Sequence, residues 1–219
     1  MRLRAYLAEF LGTGLITATV VGSGIMAQTL TRDVLLQLFV NTFATVMALA
    51  LAIWLLAPVS GAYFNPAVVF IAFLRKKESL ATAVTFSVIQ IVGAAGGAIL
   101  AHALFSRALI DPSTHVRDGS ALFISEIVAT AGLIATIFIA SNQGRGEHAF
   151  WLVPLWIGSA YVFTSSTSFA NPAITLGRSL TDSFSGIAIA SVPLFIAAQF
   201  IGALLGHVIA NLLVKPVQK

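Results

Sequence analysis

The stretches that decide the fold are Ser60-Gly-Ala-Tyr-Phe-Asn65-Pro-Ala-Val68 and Phe169-Ala-Asn171-Pro-Ala173. Each contains Asn-Pro-Ala and leads into a short apolar segment, near 65–74 in one case and 171–181 in the other. Proline suits the first turn of a helix because its missing N–H would have no partner there. Asparagine immediately before it is a preferred N-cap residue. Each motif is therefore predicted to begin a short helix.

The composition around these motifs is that of a membrane protein. Of the 219 residues, 58% are hydrophobic and 9% are charged, whereas soluble domains carry about 25% charged residues. The net charge of +4 is scattered and gives no basic footprint for nucleic acid. Absence of cysteine excludes disulfides and thiolate metal sites, and the sequence predicts no metal ion or other cofactor. The apolar stretch that begins at Ala5 has no convincing cleavage site and is predicted to stay as a helix.

Six stretches approach the roughly 20 apolar residues that a helix needs to cross the hydrocarbon core. They are residues 5–27, 34–57, 80–106, 120–141, 149–166 and 188–213. The segments after the two motifs are too short to cross alone. Non-helical backbone survives at membrane depth only inside protein or beside a water-filled cavity. We therefore predict one all-α membrane domain over 1–219, with six transmembrane helices and two re-entrant half-helices.

Basic residues predict the orientation of the chain. Those on the side of the N-terminus are Arg2, Arg4, Arg75, Lys76, Lys77, Arg145, Lys215 and Lys219. Those on the opposite side are Arg32, Arg107, Arg117 and Arg178. Because cytoplasmic loops carry an excess of Lys and Arg, both termini are predicted to be cytoplasmic.

Polar residues recur in the same order in the two halves, about 1–106 and 120–219. Besides the two Asn-Pro-Ala motifs, the pairs are Glu9-x-x-x-Thr13 with Glu126-x-x-x-Thr130, and Gln90-x-x-Gly-Ala94 with Gln199-x-x-Gly-Ala203. With three spans in each half, this is an inverted repeat, which places the functional site near the midplane where interrupted helices meet.

The two glutamates are the only acids inside the predicted spans, and two roles are open to them. Intramembrane carboxylates are candidates for proton relays. The alternative, which we favour, is that Glu9 and Glu126 accept hydrogen bonds from the backbone of the extended loops. Gln90 and Gln199 are expected to serve the same loops or the close helix contacts that small residues allow.

Two half-helices that begin at the membrane centre would point their positive dipole ends at each other. Cations are disfavoured at such a point, while the asparagine amides can donate to a passing neutral oxygen. The pore residues predicted on this basis are Asn65, Pro66, Ala67, Asn171, Pro172 and Ala173.

Together these motifs resemble those of the aquaporin family over essentially the whole chain. The resemblance implies a bundle of six helices and two half-helices, a pore in each protomer, and a homotetramer in the lipid membrane. It also implies passive passage of small neutral solutes and water, with no enzymatic activity.

The resemblance fails at the narrowest outer constriction, where most aquaporins have an arginine directly after the second motif. Here that residue is Ile174, and the other constriction positions fall at Thr45, Ser159 and Ser168. Such a ring should be wider and uncharged, because a cation with five donors is lost.

The run Asn171-Pro-Ala-Ile-Thr-Leu-Gly-Arg178-Ser-Leu-Thr-Asp182 is similar to that of bacterial aquaporins associated with arsenic resistance. This implies a bacterial inner-membrane channel for trivalent or methylated arsenicals and polyol-like solutes, with some water. The alternatives are a glycerol and water facilitator with no metalloid role and, in another class, a secondary transporter.

Arg178 and Tyr63 are the remaining departures. Arg178 lies four residues after Ile174, so it either guards the outer vestibule or pairs with Asp182 at i,i+4. Tyr63 stands where the first motif usually has histidine, so no gating near neutral pH is expected from this position.

Overall fold

The computed structural model describes residues 2–215, and over this range the chain forms eight α-helices and no strand. They are α1 (Arg2–Leu30), α2 (Val34–Ser60), α3 (Pro66–Leu74), α4 (Leu80–Leu104), α5 (Ser120–Asn142), α6 (Ala149–Phe163), α7 (Pro172–Arg178) and α8 (Val192–Leu213). Short 3-10 turns, Gly146–His148 and Ile189–Ser191, precede α6 and α8. The two short helices, α3 and α7, begin at the prolines of the two motifs, as predicted.

Five of the six long helices, α1, α2, α4, α5 and α8 with its preceding turn, are long and apolar enough to cross a membrane. The sixth, α6, has 15 residues and is therefore about 22 Å long at 1.5 Å per residue. It ends before the predicted residue 166 because the backbone becomes extended at Thr164. From there the chain enters the loop that precedes the second Asn-Pro-Ala motif.

Glycines bring α1 against α4 and α5 against α8 at very short range. A Cβ placed on Gly93 would lie 2.5 Å from the carbonyl oxygen of Phe10, and one on Gly202 would lie 2.5 Å from that of Ile127. The same closeness recurs one turn later in each helix pair. Small residues let transmembrane helices approach until their backbones touch. The prediction that Gly93 and Gly202 mark close helix contacts is thus confirmed.

Replacing Gly97 by alanine should destabilise the bundle. Its Cβ would lie 2.2 Å from the carbonyl oxygen of Gly14, and overpacking of this kind costs about 1–3 kcal/mol. The matched control is Gly96→Ala, because the nearest atom to its new Cβ is Phe10 Cζ at 3.8 Å. Thermal unfolding in detergent should show a lower Tm for Gly97→Ala and none of this loss for Gly96→Ala. Equal Tm values for both variants would contradict the packing argument.

Candidate functional site

The two asparagines cap the half-helices through their side-chain oxygens. Asn65 Oδ1 accepts a hydrogen bond from the Ala67 amide at 2.9 Å. Asn171 Oδ1 accepts from the amides of Ala173 at 3.0 Å and Ile174 at 3.3 Å. Both asparagines have extended backbone, and a proline follows each at the first helical position. This is the N-cap geometry that satisfies amides left free at a helix start.

The same two side chains also join the half-helices to each other. Asn65 Nδ2 donates to the carbonyl oxygen of Ala170 at 2.7 Å, and Asn171 Nδ2 donates to that of Phe64 at 2.8 Å. Each amide nitrogen carries two hydrogens, so one is committed to the opposite loop. The other remains available to a solute. The donor capacity expected from the sequence is therefore halved, and its direction is fixed.

The loop before each motif adopts a left-handed backbone at equivalent places. Three residues before the asparagine, φ is +51° at Ala62 and +47° at Ser168; one residue before it, φ is +50° at Phe64 and +46° at Ala170. For residues other than glycine this conformation costs roughly 1–2 kcal/mol each. Each loop must therefore be held in place by interactions from outside it.

Glu9 provides this support in the first half. Its Oε1 accepts from the Tyr63 amide at 3.0 Å and from the Ser60 hydroxyl at 2.6 Å. Its Oε2 accepts from the Phe64 amide at 2.7 Å and from Gln90 Nε2 at 2.7 Å. Both carboxylate oxygens are thus occupied by donors from the loop and from α4.

Glu126 does the same in the second half. Its two oxygens accept from the amides of Phe169 and Ala170, each at 2.9 Å, and Oε2 also accepts from Gln199 Nε2 at 2.7 Å. Like Glu9, the side chain is fully buried and does not line the pore cavity described next. The geometry therefore favours the loop-holding role over a proton relay for both glutamates.

A cavity of about 950 Å³ passes through the molecule beside the two asparagines. We call the mouth where α1 begins the inner mouth and the opposite one the outer mouth. Lys77, Glu147 and His148 line the inner mouth. Toward the outer mouth, the wall contains four of the residues singled out from the sequence: Thr45, Ser168, Ile174 and Arg178.

Comparison with known proteins identifies the family. The model of the family described as "MIP: Major intrinsic protein" matches residues 1–170. The chain belongs to the major intrinsic protein family. The relative "Aquaglyceroporin AqpS" of Rhizobium meliloti (strain 1021) is 45% identical over 213 residues, which are 97% of this chain and 91% of that protein. "Propanediol uptake facilitator PduF" of Salmonella typhimurium is 30% identical over 202 residues, covering 79% of this chain and 76% of that one.

The fold agrees with this assignment. The crystal structure of the aquaglyceroporin from Plasmodium falciparum superimposes with a TM-score of 0.72, over 98% of this chain and 96% of that chain, at 18% identity. As a major intrinsic protein, or aquaporin, the chain is an integral membrane channel rather than an enzyme. Within residues 2–215 no group of three metal-ligating side chains comes together.

The assignment of Ser159 to the constriction is wrong. Ser159 lies on the exposed face of α6, where its hydroxyl donates to the Leu155 carbonyl oxygen at 2.9 Å. The residues of α6 that line the cavity are Val153, Ile157 and Tyr161. Counting back from the second motif misplaced the position by two residues. Two residues rotate a helix by about 200°, which moves a side chain to the opposite face.

Ile157 and Tyr161 are therefore wall residues that sequence reasoning missed. With Val153 they recur every four residues, and each is buried. This spacing marks one face of a helix and could have indicated the inward side of α6. Apolar residues on other sides of the same short helix obscured the pattern in the sequence.

The predicted alternative of an ion pair between Arg178 and Asp182 is also wrong. The helix α7 ends at Arg178, so the i,i+4 geometry of a helix no longer applies at Asp182. Instead Asp182 accepts hydrogen bonds from the Thr114 amide at 2.9 Å and from its hydroxyl at 3.0 Å. The amide bond from Thr114 lowers the pKa of Asp182. Arg178 itself is buried in the cavity wall.

Tyr63 lines the inner part of the aquaporin cavity, and its hydroxyl donates to Glu78 Oε1 at 2.9 Å. The absence of gating near neutral pH at this position stays a prediction.

Replacing Glu126 by glutamine should destabilise the second loop. An amide NH₂ would replace one of the oxygens that accept from Phe169 and Ala170, and would face a backbone donor. A buried donor left without an acceptor costs about 1–3 kcal/mol. A lower Tm in detergent is expected for Glu126→Gln, and no change for Glu147→Gln at the exposed inner mouth. Unchanged stability of Glu126→Gln would show that the carboxylate is not what holds the loop.

Single cysteines should separate cavity residues from surface residues, because the natural chain contains none. Mercuric ion should block water flux through Ile174→Cys, since that side chain lines the cavity. It should leave Ser159→Cys and the wild type open, and stopped-flow shrinking of proteoliposomes measures all three. Block of Ser159→Cys with a conducting Ile174→Cys would reverse the assignment of the wall.

Proposed function

We propose that this aquaporin is a passive channel for small neutral solutes, with some accompanying water. The observation that carries the proposal is the aliphatic side chain of Ile174 in the cavity wall next to the facing half-helix starts. The two positive helix ends disfavour cations at the centre. Loss of the expected arginine removes bulk and fixed charge from the position that selects among neutral solutes.

The solutes that suit this wall carry hydroxyl groups. The Ser168 hydroxyl is buried and has no hydrogen-bond partner in the protein. The Thr45 hydroxyl donates to the Asn41 carbonyl oxygen at 2.7 Å, so its oxygen can still accept. An uncharged wall with spare hydroxyl capacity can replace part of a polyol's hydration shell. Relatives described as an aquaglyceroporin and as a propanediol facilitator support this class.

Within that class we propose arsenous acid and methylated trivalent arsenicals as substrates. Arsenous acid is a neutral compound with three hydroxyl groups near pH 7 and is physically similar to glycerol. The support is the Ile174 wall and the sequence run from Asn171 to Asp182. The second candidate is a glycerol and water facilitator with no metalloid role, which the descriptions of the relatives favour.

Coupled transport is a weaker candidate. A secondary transporter needs charged groups near the midplane to bind the coupling ion. Among residues 2–215, the one acidic side chain that lines the cavity is Glu147, at the inner mouth. Saturable accumulation against a gradient would support a transporter instead.

We further propose a homotetramer in a bacterial inner membrane, with both termini in the cytoplasm. Support comes from the family resemblance, from the bacterial relatives and from the basic residues Arg75 and Lys77 at the inner side, which bond to the ends of α5 and α8.

Ile174→Arg tests the proposed function. Restoring the guanidinium should slow glycerol and arsenite by roughly tenfold, equivalent to a barrier higher by about 1.4 kcal/mol, and slow water less. The measurement is stopped-flow flux of the three solutes in proteoliposomes at matched insertion, with Ser159→Ala as control because that residue faces away from the cavity.

Two outcomes decide between the candidates. Undiminished glycerol and arsenite flux in Ile174→Arg would contradict the role of this wall. A wild type that conducts glycerol but not arsenite would leave the facilitator without a metalloid role.

A further inference from the structure

Arg178 has more donors than the protein uses. Its side chain is 1% exposed, and its Nε donates to the Ser185 carbonyl oxygen. Its guanidinium carbon lies 3.3 Å from the centroid of the Phe169 ring. Within residues 2–215, Nη1 and Nη2 have no hydrogen-bond partner, yet neither belongs to the sealed, unpartnered atoms. Since a guanidinium carries five N–H donors, four are left to face the cavity that Arg178 lines.

A buried charge without such contacts would be unstable. Burying an ionised group costs much free energy unless it is paired or hydrogen-bonded. The face of Phe169 supplies part of the compensation through a cation–π contact. The remaining donors require oxygen atoms, and the cavity is where these can come from. The arrangement therefore favours a binding position for oxygen-bearing solutes beside Arg178.

Tyr161 lines the same cavity from α6 and adds an acceptor to these donors. Its side chain is 3% exposed, and its hydroxyl has no hydrogen-bond partner within the described chain and is not sealed from the cavity. It lies close enough to Arg178 to interact with it electrostatically. A phenol can both donate and accept a hydrogen bond. The two side chains thus offer complementary groups to one solute.

The position of this pair along the pore follows from helix geometry. Arg178 is one turn beyond Ile174 on α7, hence about 6 Å farther from Asn171 along the helix axis. The outermost half of the wall therefore carries a cation and a phenol, while the apolar Ile174 lies between them and the centre.

The loop after α7 holds the arginine in this direction. His102 Nδ1 lies 2.6 Å from the Ala108 carbonyl oxygen, which can only accept, so Nδ1 carries the proton and Nε2 accepts from the Thr181 hydroxyl at 2.7 Å. From Thr181 the hydroxyl chain continues through Ser183 to Ser185. The Ser185 carbonyl oxygen that accepts from Arg178 is thus tied to α4.

We propose that Arg178 and Tyr161 form a second, outer polar ring that hydrogen-bonds the hydroxyl groups of solutes before they reach Ile174. The ligand class is a small neutral compound with two or more hydroxyl groups, for which glycerol is the probe. This inference rests on the proposed function. Glycerol can engage both side chains at once, whereas a water molecule replaces fewer contacts, so the ring favours glycerol relative to water.

Three substitutions test the ring, with the ratio of glycerol to water permeability as the readout. Tyr161→Phe removes one oxygen and keeps the ring in place, so it is the variant least prone to misfolding. It should lower the ratio by about threefold to fivefold, the effect of losing one hydrogen bond. Arg178→Met should lower it by roughly tenfold. Arg178→Lys should fall between the wild type and Arg178→Met, because it keeps the charge and loses the planar fork.

The matched control is Arg32→Met, which removes a positive charge from an exposed loop at the outer side. All proteins are compared in proteoliposomes at equal insertion. If Arg178→Met fails to insert, Tyr161→Phe and Arg178→Lys decide the outcome.

A ratio that stays equal to the wild type, or rises, in Tyr161→Phe and in an inserted Arg178 variant would overturn the outer ring. A parallel fall of glycerol and water flux would also overturn it, since that is the signature of structural damage. A wild type that conducts neither solute would instead refute the proposed function.

Discussion

Two buried carboxylates hold the loops on which the pore depends. Glu9 and Glu126 each accept two backbone amides from a loop with residues in the left-handed region. That conformation costs free energy, and loop amides at membrane depth would otherwise lack acceptors. Because both loops are fixed in this way, Asn65 and Asn171 come close enough to bond each other's loop. The facing of the two half-helices is thus a consequence of the carboxylates.

This arrangement keeps the acids away from the pore. Each carboxylate is consumed by backbone and glutamine donors and contributes no surface to the cavity. The central wall is therefore polar through amides and helix ends, which suit neutral oxygens and disfavour cations. Selection among neutral solutes is left to side chains farther out, where this chain departs from most of its family.

The sequence predicted the features that depend on local chemistry. Asparagine before proline specifies a capped helix start, and the spacing of Glu9 and Glu126 from their loops repeats in both halves. Positions that depend on where a helix ends were less predictable. Ser159 was misplaced because a shift of two residues reverses the face of α6. The Arg178–Asp182 pair was wrongly considered because α7 stops at Arg178, and no sequence signal marks that end.

The separation of Ile174 from Arg178 explains how a wide constriction can coexist with a positive outer pore. Each half-helix start contributes roughly half a positive charge at the centre, whatever residue follows the motif. An arginine directly after the motif would add charge and bulk at one point. Moving the guanidinium one turn outward and stacking it on Phe169 leaves the charge in place and removes the bulk from the constriction. Under this arrangement the rejection of cations and the size of permitted neutral solutes are set by different residues.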